Sequence, residues 1–511
     1  MSKKLKKLST LLAEIADLHN AAALLGWDQQ TYMPQGGAEA RGNQLATLSS
    51  LAHDKFTTDE IGALLDDLEE EFAGADSESD VQRLLQVTRY DYDRKTRVPS
   101  KFVAEFAIVT SRAFEAWVKA RAASDFSLFR PHLEKVVELN RRYISFFPPA
   151  DHPYDILLDQ FERGMKTAEV TDIFAALRPR QVELIRAITE RPQVDAAFLQ
   201  GPFDEQKQWD FGVKVITGFG YDWTRGRQDR SAHPFTTSFS INDVRITTRF
   251  EKDHPVASLF STMHEAGHAL YELGCRQSFE RSPLAGGASL AVHESQSRLW
   301  ENLVGRSLPF WEHFYPAYQQ LFSPALAGVD LMSFYRAINR VEPSLIRVNA
   351  DEATYNLHIM LRLELEIGMI DGTIAVRDLA EIWNARMKEY LGITPPDDAR
   401  GVLQDVHWSG GSLGYFSTYA LGNLISAQLW EKINSDIPDL ADRFRRGQFG
   451  ALLAWLRDKI HVHGRKYEPQ ELVLKVTGSK IDPAPYIRYL QRKYGEIYGI
   501  APSHDGESCI S

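Results

Sequence analysis

In "MHEAGHALYELG", residues 263 to 274, His264 and His268 stand four apart with Glu265 between them. If the stretch is helical, residues four apart share a face, so both imidazoles converge on one ion at ~2.0–2.1 Å. Glu265 is then rotated by about 100° from His264. From there its carboxylate reaches a water at the ion without being a ligand. Imidazole and carboxylate suit zinc, which lowers the pKa of its water to ~7, and a nearby carboxylate takes the proton as attack begins. The plainer reading is two satisfied core histidines. With 15 histidines in 511 residues, the HExxH spacing arises by chance in roughly a few per cent of such chains, and its place on an apolar helix favours the metal.

A catalytic zinc takes three protein ligands and keeps a position open. The next helical stretch, "ASLAVHESQSRLWENLVG" (288–305), offers His293, Glu294 and Glu301. His293 and Glu294 point about 100° apart and would not share the ion. Glu294 and Arg298 could also form a plain i,i+4 ion pair worth a few tenths of a kcal/mol. Spacing does not choose among these candidates.

The elements that must hold these groups read as helices of ten to twenty residues with 3.6-period apolar spacing; 128–146, 168–190, 414–433 and 480–497 are examples. Pro255 suits the first turn of the metal helix and Gly274 stops it. The exception is "HPFTTSFSINDVRITTRF" (233–250), whose alternation predicts two strands joined around Asn242 and Asp243. A sheet edge beside the metal helix would let an extended peptide add itself as a further strand.

The net charge of −11, with no sustained basic run, argues against nucleic acid as a partner. No stretch of eighteen uninterrupted apolar residues occurs, so no membrane span is expected. The opening "MSKKLKKLSTLLAEIADLHN" reads as an amphipathic helix of the mature protein. Two cysteines, Cys275 and Cys509, are too few to staple a secreted chain and point to a cytoplasmic, reducing setting. Cys275 reads as a buried thiol, and residues 502–511 as a disordered tail. With no repeat or low-complexity linker, residues 1–511 are expected to form one catalytic unit, with two lobes around a cleft as a variant.

The chain resembles the carboxypeptidase Taq family of zinc metallocarboxypeptidases, on "HEAGH" at 264–268 followed by "HESQS" at 293–297. Four further signatures stand in the family's order: "HPF" at 233–235, "DVRIT" at 243–247, "IRVNAD" at 346–351 and "GVLQDVHW" at 401–408. The N-terminal "LLGWDQQTYMPQGGAEARGNQLATL" is similar too. One departure is Ser417 in "GYFSTY", where the family is expected to carry proline. The resemblance implies a mainly α, bilobed peptidase fold with a deep cleft and a small antiparallel sheet beside the zinc helix, similar to the angiotensin-converting and thimet-type enzymes. It selects Glu294 as third zinc ligand beside His264 and His268, and Glu265 as general base. Cobalt can occupy the same donors.

By the same resemblance Arg347 binds the substrate's free carboxylate, a task suited to a fixed guanidinium. On residues alone Arg347 reads as an i,i+4 partner of Asp351 on a helix begun by Pro343. His407 and Tyr419, with Tyr415 as second choice one helical turn away, would donate to the oxyanion. His233 and Arg245 would bind substrate or organise the wall beside it, while Trp408, Trp27 and Phe235 read as packing. The implied protein is a homodimer that removes single C-terminal residues from peptides with a free C-terminus, broadly but sparing proline. The alternatives are an endo-acting zinc oligopeptidase on the same scaffold and a non-catalytic peptide-binding protein.

Overall fold

The computed structural model describes residues 2–501; the tail from 502 and Cys509 lie outside them. The fold is mainly helical with one three-stranded sheet. The chain divides into two compact units, each assembled from three stretches. The first unit takes the chain up to Arg97, Ala197–Leu331 and Lys432–Gly478; the second takes Val98–Ala196, Met332–Glu431 and the chain from Ser479.

In the first unit, α1 (Lys3–Thr31) begins at Ser2, whose hydroxyl accepts the Leu5 N–H at the N-cap. Leu5, Leu8, Leu12 and Ile15 recur at helical spacing and pack with Phe56, Ile61, Leu65 and Leu68 from the following helices. Fully burying each such leucine contributes about 1.5–3 kcal/mol. In the same unit, α2 (Glu205–Phe219) packs on the helix that carries His264 and His268.

The sheet lies between α1 and the metal helix in sequence and packs against both. β2 (Thr236–Ser240) and β3 (Asp243–Thr248) form the expected antiparallel hairpin around Asn242. The sheet also has β1 (Gly226–Arg230), which runs parallel to β3, giving the order β1-β3-β2 and a mixed sheet. Arg227 pairs with Arg245 in that register. Gly226 is required where it stands, since a Cβ there would come within 2.3 Å of the Tyr221 hydroxyl.

α3 (Pro255–Leu273) spans the expected range, with Pro255 in its first turn. It is buried on nearly every side, and Gly267 lets the next helix come close: a Cβ there would meet Ser297 Cα at 2.6 Å. That next helix, α4 (Leu290–Arg298), is capped by Ser289 and passes into a π-helical segment, Leu299–Val304.

The second unit is built around α5 (Tyr355–Asp371), whose residues are buried almost all round although it carries His358, Arg362 and Glu366. α6 (Ser417–Asp436) starts three residues later than the apolar period suggests, because Gly414 takes φ +99°, a left-handed turn that a helix cannot include. Ser417 stands at the helix start, where proline also fits, and its hydroxyl donates to the Gly414 carbonyl at 3.3 Å. The other helices read from the sequence are present as Arg130–Ile144, Thr167–Thr189 and Ala484–Tyr498. Among the described residues no helix is long and apolar enough to cross a membrane.

Candidate active site

α3 presents His264 and His268 on one side, their rings 4.8 Å apart and nearly perpendicular. Glu294 Oε2, from α4, lies 3.7 Å from Nε2 of each ring. Two ligands of a tetrahedral ion at ~2.05 Å sit about 3.3 Å apart, so a few tenths of an ångström of contraction closes this set. Two imidazoles and one carboxylate oxygen, all within 4.8 Å of one another, fit a single divalent ion. The ion pair with Arg298 also exists: Arg298 Nε donates to Glu294 Oε1 at 2.7 Å. Each carboxylate oxygen therefore has its own task, and the two readings of Glu294 are compatible.

The other two candidates for third ligand stand behind the histidines. Glu301 Oε2, in the π-helical segment, lies 2.9 Å from His264 Nδ1 and accepts from Arg298 Nη1 at 3.2 Å. Burial opposes charge on Glu301, but Arg298, His264 and Arg306 outweigh it and hold the carboxyl down at about 2. For His264 burial opposes the imidazolium, and Glu294 and Glu301 more than offset it, raising the pKa. His293 Nδ1 lies 2.7 Å from His268 Nδ1. Burial, then His293, His264 and Arg298, push His268 well below the ordinary histidine value, so the ring is neutral, as a ligand must be.

Glu265 is held from the hairpin side by Thr236. The Thr236 hydroxyl lies 2.7 Å from its Oε2 and 2.9 Å from its main-chain carbonyl. Burial raises the Glu265 pKa against the opposing pull of His264 and Thr236, the direction that suits a proton acceptor working near neutrality. Thr236 was not foreseen as functional, although it directly follows "HPF" on the strand facing α3.

The hairpin signatures have mostly internal tasks. Arg245 donates to both carboxylate oxygens of Asp243 at 2.8 Å, and its guanidinium lies over the Trp27 ring at 4.6 Å and the Phe239 ring at 4.9 Å. Arg245 thus ties β3 to Trp27 of α1. Thr247 shares the Arg245 face but is buried, because its hydroxyl accepts the Phe235 N–H and the Ser231 hydroxyl and so pins the loop that carries His233. His233 itself is exposed. Cys275 is buried, and burial pushes its thiol up to about 11.

Residues 7–494 match the family model described as carboxypeptidase Taq (M32) metallopeptidase. The chain belongs to this M32 family. It is 41% identical to thermostable carboxypeptidase 1 of Thermus thermophilus over 95% of this chain and 97% of that protein. It is 37% identical to carboxypeptidase 1 of Bacillus subtilis over 96% of this chain and 98% of that one. An M32 carboxypeptidase from Deinococcus radiodurans R1 superposes with a TM-score of 0.94 at 43% identity, covering 98% of this chain and all of that structure. The chain is accordingly a peptide hydrolase of a metal-dependent family, with a mainly helical M32 fold.

Two more M32 signatures, "IRVNAD" and "GVLQDVHW", meet in the second unit. Arg347 lies in a 3-10 turn, Arg347–Asn349, and not on a helix shared with Asp351. Asp351 instead accepts main-chain N–H groups from Glu342, Ala353 and Thr354. Arg347 reaches Asp405: Nε and Nη2 donate to Oδ1 at 3.1 and 2.8 Å, while Nη1 donates to the Tyr355 hydroxyl at 2.8 Å. Arg362, fully buried on α5, donates from Nε to Asp405 Oδ2 at 2.7 Å. Burial disfavours the Asp405 charge, but Arg362 and then Arg347 hold it well below the usual carboxylate range. Asp405 and Arg362 were missed; Asp405 stands two residues before His407 in the same signature.

His407 is pushed down to about 4 by burial, with Arg347 and Arg362 countering the pull of Asp405, so it is a neutral donor or acceptor near pH 7. Its ring lies 5.3 Å from Tyr415 and 4.5 Å from Phe416. Tyr415 precedes α6, so the two tyrosines do not share a helical face, yet their rings are 5.3 Å apart. Tyr419 lies under the Arg347 guanidinium at 5.1 Å. Trp408 packs as expected and also donates to the buried Glu366 at 2.7 Å.

Proposed function

We propose that this M32 protein is a zinc metallocarboxypeptidase that releases single C-terminal amino acids from peptides. The observation that carries the reading is Glu294 Oε2 at 3.7 Å from both His264 Nε2 and His268 Nε2, with Glu265 beside them on the same helix. Those three atoms would hold the ion, and two imidazoles with one carboxylate are a donor set typical of zinc peptidases. The ion supplies Lewis acidity when bound, polarising the scissile carbonyl and acidifying water.

The chain's own residues do the rest. With Oε2 held by Thr236, Glu265 takes the proton of the attacking water at Oε1 and passes it to the departing amine. Arg347, with Arg362 behind it and only Asp405 between them, leaves a surplus positive charge that suits a terminal carboxylate. His407 and Tyr419 donate to the oxyanion, with Tyr415 in support. β2 is an outer strand of the sheet, and Thr236 on it holds Glu265, which supports an extended peptide laid along that strand, beside His233.

The resemblance also supports one catalytic unit made by both halves of the chain, a homodimer, broad specificity that spares proline, and a cytoplasmic setting. A peptide time course read by mass tests the central claim. A ladder losing one residue at a time from the carboxyl end, abolished by a chelator and restored by zinc or cobalt, is expected. Internal cuts in a peptide blocked at its carboxyl end would replace this reading with the endo-acting one.

A further inference from the structure

Both proposed ligand histidines use Nε2 toward the ion and have a hydrogen-bond partner at Nδ1, but the partners differ. His264 Nδ1 meets a carboxylate directly, Glu301 Oε2 at 2.9 Å. His268 Nδ1 meets another histidine, His293, at 2.7 Å, and His293 Nε2 lies 2.6 Å from Glu272 Oε1. Glu272 is four residues beyond His268 on α3, and the His293 ring is inserted between them.

The proton positions in this line are determined by what each atom can do. An ionised carboxylate only accepts, so His293 Nε2 must carry the hydrogen it donates to Glu272. A neutral imidazole carries one N–H, so His293 Nδ1 is then an acceptor. The 2.7 Å contact in turn requires the hydrogen on His268 Nδ1, which leaves the lone pair of His268 on Nε2, the atom that faces Glu294. The opposite tautomer of His293 would set two N–H groups against each other or put a hydrogen on the ligand nitrogen.

The surroundings hold the His293 ring in this orientation. Tyr271 packs on it with centroids 5.1 Å apart, and the Tyr271 hydroxyl is anchored by the Ala288 N–H at 3.0 Å. Gly287 leaves the space that the ring fills, since a Cβ there would come within 2.6 Å of His293 Cδ2. A side chain needed only for volume requires neither end of its ring to be hydrogen-bonded, yet both nitrogens of His293 are engaged.

We propose that Glu272 and His293 are positioning residues that form a serial relay, fixing the tautomer and ring orientation of His268 for metal binding. The relay rests on the metal-centre reading above. It makes the site asymmetric: one ligand is oriented by a carboxylate directly, the other by a carboxylate acting through a second histidine.

The test measures zinc affinity of the full chain by competition with a chromophoric chelator, for the native protein, E272L, E272Q, H293F and the E272L/H293F double variant. Loss of an outer partner of a metal ligand typically costs 10–100-fold in affinity, and H293F is expected to fall in that range with an unchanged metal-free melting temperature. E272L should weaken binding comparably, whereas E272Q, which keeps an acceptor oxygen, should recover most of that loss. Because the links act in series, the double variant should bind no worse than H293F. Multiplying losses in the double variant, no rescue by glutamine, or native affinity in H293F would each overturn the relay. In those cases a native protein that still binds one zinc leaves the metal-centre reading standing; no binding by the native protein would overturn both.

Discussion

The metal group of the first unit and the arginine group of the second are built on opposite charge balances. Around His264 and His268 stand Glu265, Glu272, Glu294 and Glu301, countered by Arg298 and Arg306, so the first group is short of positive charge. Around Asp405 stand Arg347 and Arg362, so the second is short of negative charge. Burial makes such imbalances costly unless something supplies the missing charge. A divalent cation would satisfy the first and a carboxylate the second, the two charged partners that the proposed reaction calls for. The acids of the first group are spread over several donors, whereas in the second Asp405 takes both guanidinium groups.

The largest effect is expected from removing the proton acceptor, Glu265, one of the four acids of the metal group. Glu265→Gln preserves shape and the contact with Thr236 and touches no ligand atom, so zinc content should stay at the native level. Turnover should fall by up to about 10⁴-fold, the upper range for general acid–base catalysis; hydrolysis retained at native zinc content would remove Glu265 from the mechanism.

Arg347→Ala acts on the arginine group. It should lower kcat/KM on peptides with a free carboxylate by about 10³-fold, or ~4 kcal/mol, within the range for one member of a buried charge pair. Amidated peptides should lose far less. An equal loss on both would mean that Arg347 serves only its partners Asp405 and Tyr355.

Much of the first group was legible because it is local. HExxH on an amphipathic stretch, a proline at the start and a glycine at the end leave a periodic mark, and α3 follows it to within a residue. The hairpin left a period of two. β1 did not, because "GRQDR" has no apolar alternation and is held by its register with β3. The second group was legible only through resemblance. Its central contact joins Arg347 to Asp405, 58 residues away, and a long-range ion pair leaves no period in either segment. The local alternative, an i,i+4 pair with Asp351, had the right spacing and failed because residues 347–349 turn as a 3-10 segment while Asp351 accepts the N–H groups of the turn ahead of the next helix.

Tyr419 belongs with the second group, its ring lying under the Arg347 guanidinium and 6.4 Å from His407. Phenylalanine keeps that ring and removes only the hydroxyl. If the hydroxyl donates to the developing oxyanion, Tyr419→Phe should lower kcat by about 10²-fold with little change in KM, the size seen for one lost oxyanion donor. If it serves the carboxylate clamp instead, KM should rise on free-carboxylate peptides while kcat holds. Tyr415→Phe should have the smaller effect, because that ring packs edge-on against Phe161 at 5.3 Å. A normal kcat in Tyr419→Phe with a reduced one in Tyr415→Phe would transfer the donor role to Tyr415 and leave Tyr419 to the clamp.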